Sequence, residues 1–391
     1  MGVDIDKIIK AIRENYSGNI ALHEPLFAGN EWKYVKECLD TGWVSTAGKY
    51  VNLFETKMAE FVDAKCVIAV VNGTAALHMC LKLAGVQPND EVLIPSLTFV
   101  ATANVVSYCS AIPHFIDCSH ETLGICPAKL SDYLDEIAVV KTDGTCWNRN
   151  TKRQIKVCMP MHTYGHPVDM DPLVELCNRY NIILIEDATE SLGSFYKGKH
   201  TGSHGKLSAL SFNGNKIMTT GGGGAIVTND DSLGKMAKHL TTTSKIPGKW
   251  EFVHDYVGYN YRMPNINAAL GCAQLEQLPS FLGNKRKLAE NYNKAFNDIN
   301  GIKFFTEPEF AKSNYWLNVL LLDNEAVCDS ELLLEKTNGS GIMTRPAWRL
   351  MHKLTMFKDY PSMDLSIAEN LEKRIINIPS SAKLGETHAA A

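Results

Sequence analysis

The chain has 391 residues, 45% of them hydrophobic and 21% charged, with 39 Lys plus Arg against 43 Asp plus Glu and a formal net charge of -4. This composition fits a globular protein of roughly two to three domains and excludes a disordered chain. The acidic balance argues against a nucleic-acid binder that relies on neutralising phosphates.

No apolar run approaches the ~20 residues of a membrane helix. The first residues, MGVDIDKIIKAIREN, lack the continuous apolar stretch of a signal peptide. Eleven scattered Cys without a C-x-x-C pair read as reduced, mostly buried thiols, so a cytoplasmic protein is expected. From Ala64 onward, apolar runs at 66–71, 91–94, 112–117, 155–159, 182–186, 207–212 and 225–228 predict strands. Helical patterns at 74–84, 100–108 and 170–180 fall between them. Such strands, separated by helices, indicate a mostly parallel sheet covered on both faces. Trp147-Asn148-Arg149-Asn150 reads as a surface hairpin or loop, and a long helix is predicted from about Asn265 to Ile299. The expected fold class is α/β. A large domain over 1–257, opened by a helical segment, precedes a smaller α+β domain over 258–391.

Ligands of an open α/β sheet bind beyond the carboxyl ends of its strands, so the residues just after each strand matter most. Asn72-Gly73-Thr74 follows the first strand and opens a helix. It is either an anion site built on helix N–H groups or a plain Asn-Gly turn with Thr as cap. Asp187, at the end of an apolar strand, needs a cation or donor; a protonated cofactor ring nitrogen would serve, and capping a following helix is the alternative. Lys216 lies between a strand end and the run Gly221-Gly222-Gly223-Gly224. Desolvation makes such an amine a nucleophile able to form a Schiff base, although a lysine before a glycine-rich loop also occurs in P-loops and simple turns. Neither G-x-x-x-x-G-K-[ST] nor G-x-G-x-x-G is present. Phosphate turn, Asp187 and Lys216 together supply what pyridoxal phosphate requires. His162 and His166 read as structural histidines, and no residues stand at metal-ligand spacing.

With Gly42-Trp43-Val44-Ser45, Pro95-Ser96-Leu97-Thr98-Phe99, His162-Thr163-Tyr164-Gly165-His166-Pro167, Gly258-Tyr259-Asn260-Tyr261-Arg262-Met263 and Thr344-Arg345-Pro346, these motifs run in order over nearly the whole chain. In this it resembles the DegT/DnrJ/EryC1/StrS sugar aminotransferases, which are fold-type I pyridoxal-phosphate enzymes. The resemblance implies that Lys216 binds the cofactor covalently and then shuttles protons, and that Asp187 holds the ring nitrogen. It implies that Phe99 stacks on the ring, that Gly73, Thr74 and Ser211 bind its phosphate, and that Asn260 reaches it from a partner subunit, giving an obligate homodimer. Trp43, Ser45, Asn213 and Arg345 fall on the substrate side. Glu190 stands where many relatives carry His or Gln, beside the cofactor's phenolic oxygen, and Asn213 stands where some carry His. The implied reaction passes an amino group from L-glutamate, through the pyridoxal and pyridoxamine phosphate forms, to C4 of a nucleotide-linked 4-keto-6-deoxy-hexose. The subgroup resembled most feeds sugars of the legionaminic kind, with perosamine- and bacillosamine-forming enzymes as neighbours. Lys245, Lys249, Arg345 and Arg349 are candidate partners for the nucleotide diphosphate, with a solvated surface charge as the alternative for each. Sugar 3-dehydratases of this fold replace the lysine, and a non-catalytic scaffold would not need it.

Overall fold

The structure, a computed structural model, describes residues 3–14, 16 and 18–386. Three helices come first: α1 (Ile5–Arg13), α2 (Glu31–Thr41) and α3 (Lys49–Val62). The seven predicted strands all form and join one sheet: β1 (Cys66–Val70), β2 (Glu91–Pro95), β3 (Ile112–Ile116), β4 (Ile155–Cys158), β5 (Ile183–Asp187), β6 (Leu207–Ser211) and β7 (Gly224–Thr228). The order across the sheet is β1-β7-β6-β5-β4-β2-β3. The run from β6 to β3 is parallel, while β7 lies antiparallel between β1 and β6.

Alternation along the strands explains why the sheet is covered on both sides. Ile68, Val70 and Ile226 enter one core, with α4 (Gly73–Leu83) and α5 (Val100–Tyr108). Val67, Ala69, Ala225 and Val227 enter the opposite core, with α3. Helices α6 (Pro127–Ile137) and α7 (Met170–Tyr180) cover the β3–β4 end, and α8 (Asp231–Thr241) follows β7. The segment containing Trp147 is a two-stranded antiparallel hairpin with Ala138–Val140.

The long helix is α9 (Asn265–Phe296), ending three residues before the expected limit. Its first half packs Ala268, Cys272 and Leu278 among Phe54 and Met58 of α3. Its second half packs Leu288, Tyr292 and Phe296 against α1 and a second, antiparallel sheet. That sheet contains β8 (Ile302–Phe304), β9 (Asn318–Leu322), β10 (Arg345–Pro346) and β11 (Ile375–Ile378), in the order β8-β9-β11-β10. Eight of the eleven cysteines are buried and none is paired. Among the described residues, no helix is long and apolar enough to cross a membrane.

Candidate active site

Strand ends β1, β5 and β6 and the starts of α4 and α5 surround one cavity of about 320 Å³. Helix α4 begins at Gly73, one residue before the expected start, because Asn72 rather than Thr74 is its cap: the Asn72 Oδ1 accepts the Ala75 N–H at 2.7 Å. A Cβ on Gly73 would stand 2.8 Å from Ser211 Cβ and 3.2 Å from Thr189 Cγ2. Only glycine lets the helix start this close to the end of β6, which brings Thr74 and Ser211 to the same wall. The glycine run has a related reason, since a Cβ on Gly224 would lie 2.5 Å from the Asn72 carbonyl carbon. The N-terminus of α4 and these two flanking hydroxyls therefore offer donors that suit an anion.

Asp187 is 1% exposed and no helix follows it, so it is not a cap. Its Oδ2 accepts the Thr102 hydroxyl at 2.7 Å, and its Oδ1 accepts the Thr189 hydroxyl at 2.7 Å. Thr98 backs Thr102 at 2.9 Å. A buried carboxylate so oriented, and bordering the cavity, suits a cationic ring nitrogen.

Lys216 enters from the turn after β6. Its Nζ lies 3.3 Å from Glu190 Oε1 and 3.8 Å from the centre of the Trp316 ring. The Glu190 Oε2 accepts the Tyr164 N–H at 2.9 Å. Burial pushes the Glu190 carboxyl up to about 7; the Lys216 ammonium and the Tyr164 N–H oppose this, while Asp187 adds to it. Near neutral pH this group holds a proton part of the time. Phe99 and Asn213 also border the cavity. The Phe99 ring meets the edge of Trp348 at 6.1 Å, and Trp348 packs on Tyr164 at 4.7 Å.

Other expected residues lie elsewhere in the same chain. Trp43, 59% exposed, borders a separate depression beside Gly48 and Tyr50, and the carbonyls of Trp43 and Ser45 are held by Asn265. Arg345 is exposed and donates to Asn338 Oδ1 and its own neighbour's carbonyl at Thr344. Asn260 is exposed and bridged to Thr242. Lys245 and Lys249 lie over the rings of Phe252 and Trp250, and Arg349 is 3.8 Å from Glu372. His162 is structural: its Nε2 meets Glu186 at 3.1 Å and its Nδ1 accepts the Val168 N–H. His166 is buried between Phe305 and Tyr315, and burial pushes it down to about 3.

Sequence reasoning missed Thr102, Thr189, Asn314 and Trp316. Thr102 had a signal, because a hydroxyl three positions after Phe99 sits in the first turn of α5; Trp316 lies 100 residues from Lys216 and had none. The donor set fits pyridoxal phosphate: an amine for its carbonyl, a fixed buried carboxylate for its ring nitrogen and a helix N-terminus for its phosphate.

Comparison with known proteins agrees. The description "DegT/DnrJ/EryC1/StrS aminotransferase family" matches residues 26–391. The chain is 38% identical to a GDP-perosamine synthase of Escherichia coli O157:H7, over 93% of this chain and 94% of that one. It is 37% identical to the putative pyridoxal phosphate-dependent aminotransferase EpsN of Bacillus subtilis (strain 168), over 94% and 92%. The solved structure of the aminotransferase TlmJ from Streptoalloteichus hindustanus superposes with a TM-score of 0.83 at 25% identity, covering 93% of this chain and 94% of that one. The chain belongs to the DegT/DnrJ/EryC1/StrS aminotransferase family and is a pyridoxal-phosphate-dependent aminotransferase.

Proposed function

We propose that the chain transfers an amino group from L-glutamate to C4 of a nucleotide-linked 4-keto-6-deoxy-hexose in bacterial surface-sugar biosynthesis. The observation that carries this reading is the convergence of Lys216, Asp187 and the Gly73–Ser211 cradle on one cavity. Pyridoxal phosphate, when bound, supplies an electron sink that lets a proton leave the amino donor's Cα. Lys216 would hold the cofactor covalently, and its amine, freed when the donor's amino group takes its place, would accept that proton and return it on one face. Asp187, oriented by Thr102 and Thr189, keeps the ring nitrogen protonated. Gly73, Thr74 and Ser211 would hold the phosphate, and Phe99 would cover one ring face. Glu190 would face the phenolic oxygen, and a carboxyl that holds a proton part of the time near neutral pH would repel it less than a permanent carboxylate.

In this reading the site is completed by a second copy of the chain. Asn260 reaches the phosphate of the partner's site, and Trp43, Ser45 and Arg345, outside their own chain's cavity, line the partner's sugar site. Lys245, Lys249 and Arg349 are further cations for the diphosphate. With the domain division expected at 257/258, Trp316 and Trp348, which border the cavity, would belong to the second domain and close the cavity of the first.

The relationship to a GDP-perosamine synthase favours a guanosine-diphosphate sugar of the perosamine type over the legionaminic type. Incubating purified protein with glutamate and GDP-, UDP- or dTDP-linked 4-keto-6-deoxy-hexoses tests this by formation of 2-oxoglutarate and amino sugar. Turnover of the GDP-linked sugar is expected. Turnover restricted to a UDP-linked 2-acetamido sugar would restore the legionaminic reading, and amination of none would overturn both.

A further inference from the structure

The lysine amine has two walls, an indole ring and a carboxyl group. Trp316 presents its ring face at 3.8 Å from the nitrogen, and Glu190 Oε1 stands at 3.3 Å from it. Neither wall is loose. The Trp316 Nε1–H donates to the Asn215 carbonyl at 2.7 Å, so the ring is tied to the same turn that carries Lys216. The Trp316 backbone N–H donates to Asn314 Oδ1 at 2.8 Å, while Asn314 Nδ2 donates to the carbonyls of Glu190 and Leu192, both at 2.9 Å. One buried asparagine thus locks both walls together.

The turn 162–165 completes the frame. Tyr164 has φ +57°, a left-handed conformation that aims its N–H at Glu190 Oε2. Gly165 follows with φ +96°, and a Cβ there would collide with Asn314 Oδ1. Two successive left-handed residues, strained for any side chain, are what let Asn314 and Glu190 sit where they do.

We propose that Trp316 and Glu190 are positioning residues that hold the Lys216 amine against an indole face and a carboxyl, so that its proton is delivered from one fixed place. An ammonium is attracted to an indole face, and a carboxyl oxygen, ionised or not, accepts its N–H. A long, flexible lysine held by two fixed partners loses the motion that would spread its proton over several positions. The inference rests on the reading of Lys216 as the proton carrier.

The test uses the enzyme in its pyridoxamine phosphate form, with ε-13C-lysine labelling and Lys216→Arg to assign the signal. The Lys216 ε-methylene resonance is expected well upfield of the other lysines, through the indole ring current. Trp316→Leu should return it to the ordinary position. The same variant should lower kcat by about tenfold or more, with KM for glutamate changed by no more than about twofold. Trp316→Phe, which keeps a smaller ring, should retain part of the shift and lose kcat only several-fold; it carries the same readout should the Leu variant not fold. Glu190→Gln should keep the ring shift and lower kcat. A wild-type Lys216 signal at the ordinary position, or ring variants with wild-type shift and kcat, would overturn the holder. Borohydride labelling of the pyridoxal phosphate form separates the two ideas: a label away from Lys216 removes the underlying reading, whereas a label on Lys216 with unaffected ring variants removes the holder alone.

Discussion

The Thr102 hydroxyl donates to Oδ2 of Asp187 at 2.7 Å, joining the first turn of α5 to the end of β5. Thr189 takes the other oxygen, so both have donors and the carboxylate cannot rotate freely. Thr102→Val keeps the shape and removes one bond. A stability cost of about 1 kcal/mol is expected, with cofactor affinity weakened about tenfold through the misoriented carboxylate. Absorbance titration of apoenzyme with pyridoxal phosphate, alongside thermal melting, measures both; unchanged affinity would remove Thr102 from the site.

Gly73→Ala puts a methyl group 2.8 Å from Ser211 Cβ, and α4 or the end of β6 must move. Overpacking of this kind costs about 1–3 kcal/mol, and the displaced helix start should weaken cofactor binding by at least about tenfold. Ser211→Ala removes one hydroxyl without moving the backbone, so its loss should be smaller. An alanine variant that binds as tightly as wild type would contradict the cradle.

Glu190 links stability to pH. Burial raises the carboxyl from the ordinary 4.5 to about 7, so the folded protein binds more protons than the unfolded chain between those values. The group's contribution is therefore fully present below pH 4.5 and is lost as pH rises through 7, by about 3 kcal/mol in total. Glu190→Gln should flatten this slope, matching wild type near pH 5 and exceeding it at pH 8 in urea denaturation. Parallel losses in the two proteins would show that another group is responsible.

Glu186 behaves oppositely. Burial alone would raise it, but His162, His204 and the Gly205 N–H outweigh burial and hold it at about 2. Its contribution is present above pH 4.5 and lost as pH falls through 2. Glu186→Gln should cost about 3 kcal/mol at pH 7, and the gap to wild type should close in acid. A gap that persists at pH 2 would rule out the carboxylate as its source.

The strands were legible because a sheet buried on both faces demands near-continuous apolar runs such as Val67–Val70 and Ile183–Ile185. Lys216, Asp187 and Gly73 were legible because they follow those runs, where such a sheet leaves its crevice. The antiparallel course of β7 was not, since Ala225–Val227 reads the same in either direction. Gly224 is needed for its approach to Asn72, a contact between segments about 150 residues apart. Trp316 and Asn314 precede an apolar strand and look like its flank; only tertiary packing sets them against Glu190 and Lys216. The proton-holding character of Glu190 comes from burial, which a residue type does not disclose.

The most direct test of the central claim is chemical. Holoenzyme treated with sodium borohydride, digested and mapped by mass spectrometry should carry the reduced cofactor on the peptide containing Lys216, and the Lys216→Ala protein should carry none there. A cofactor adduct on another lysine, or no adduct on a protein that still transfers amino groups, would contradict the account.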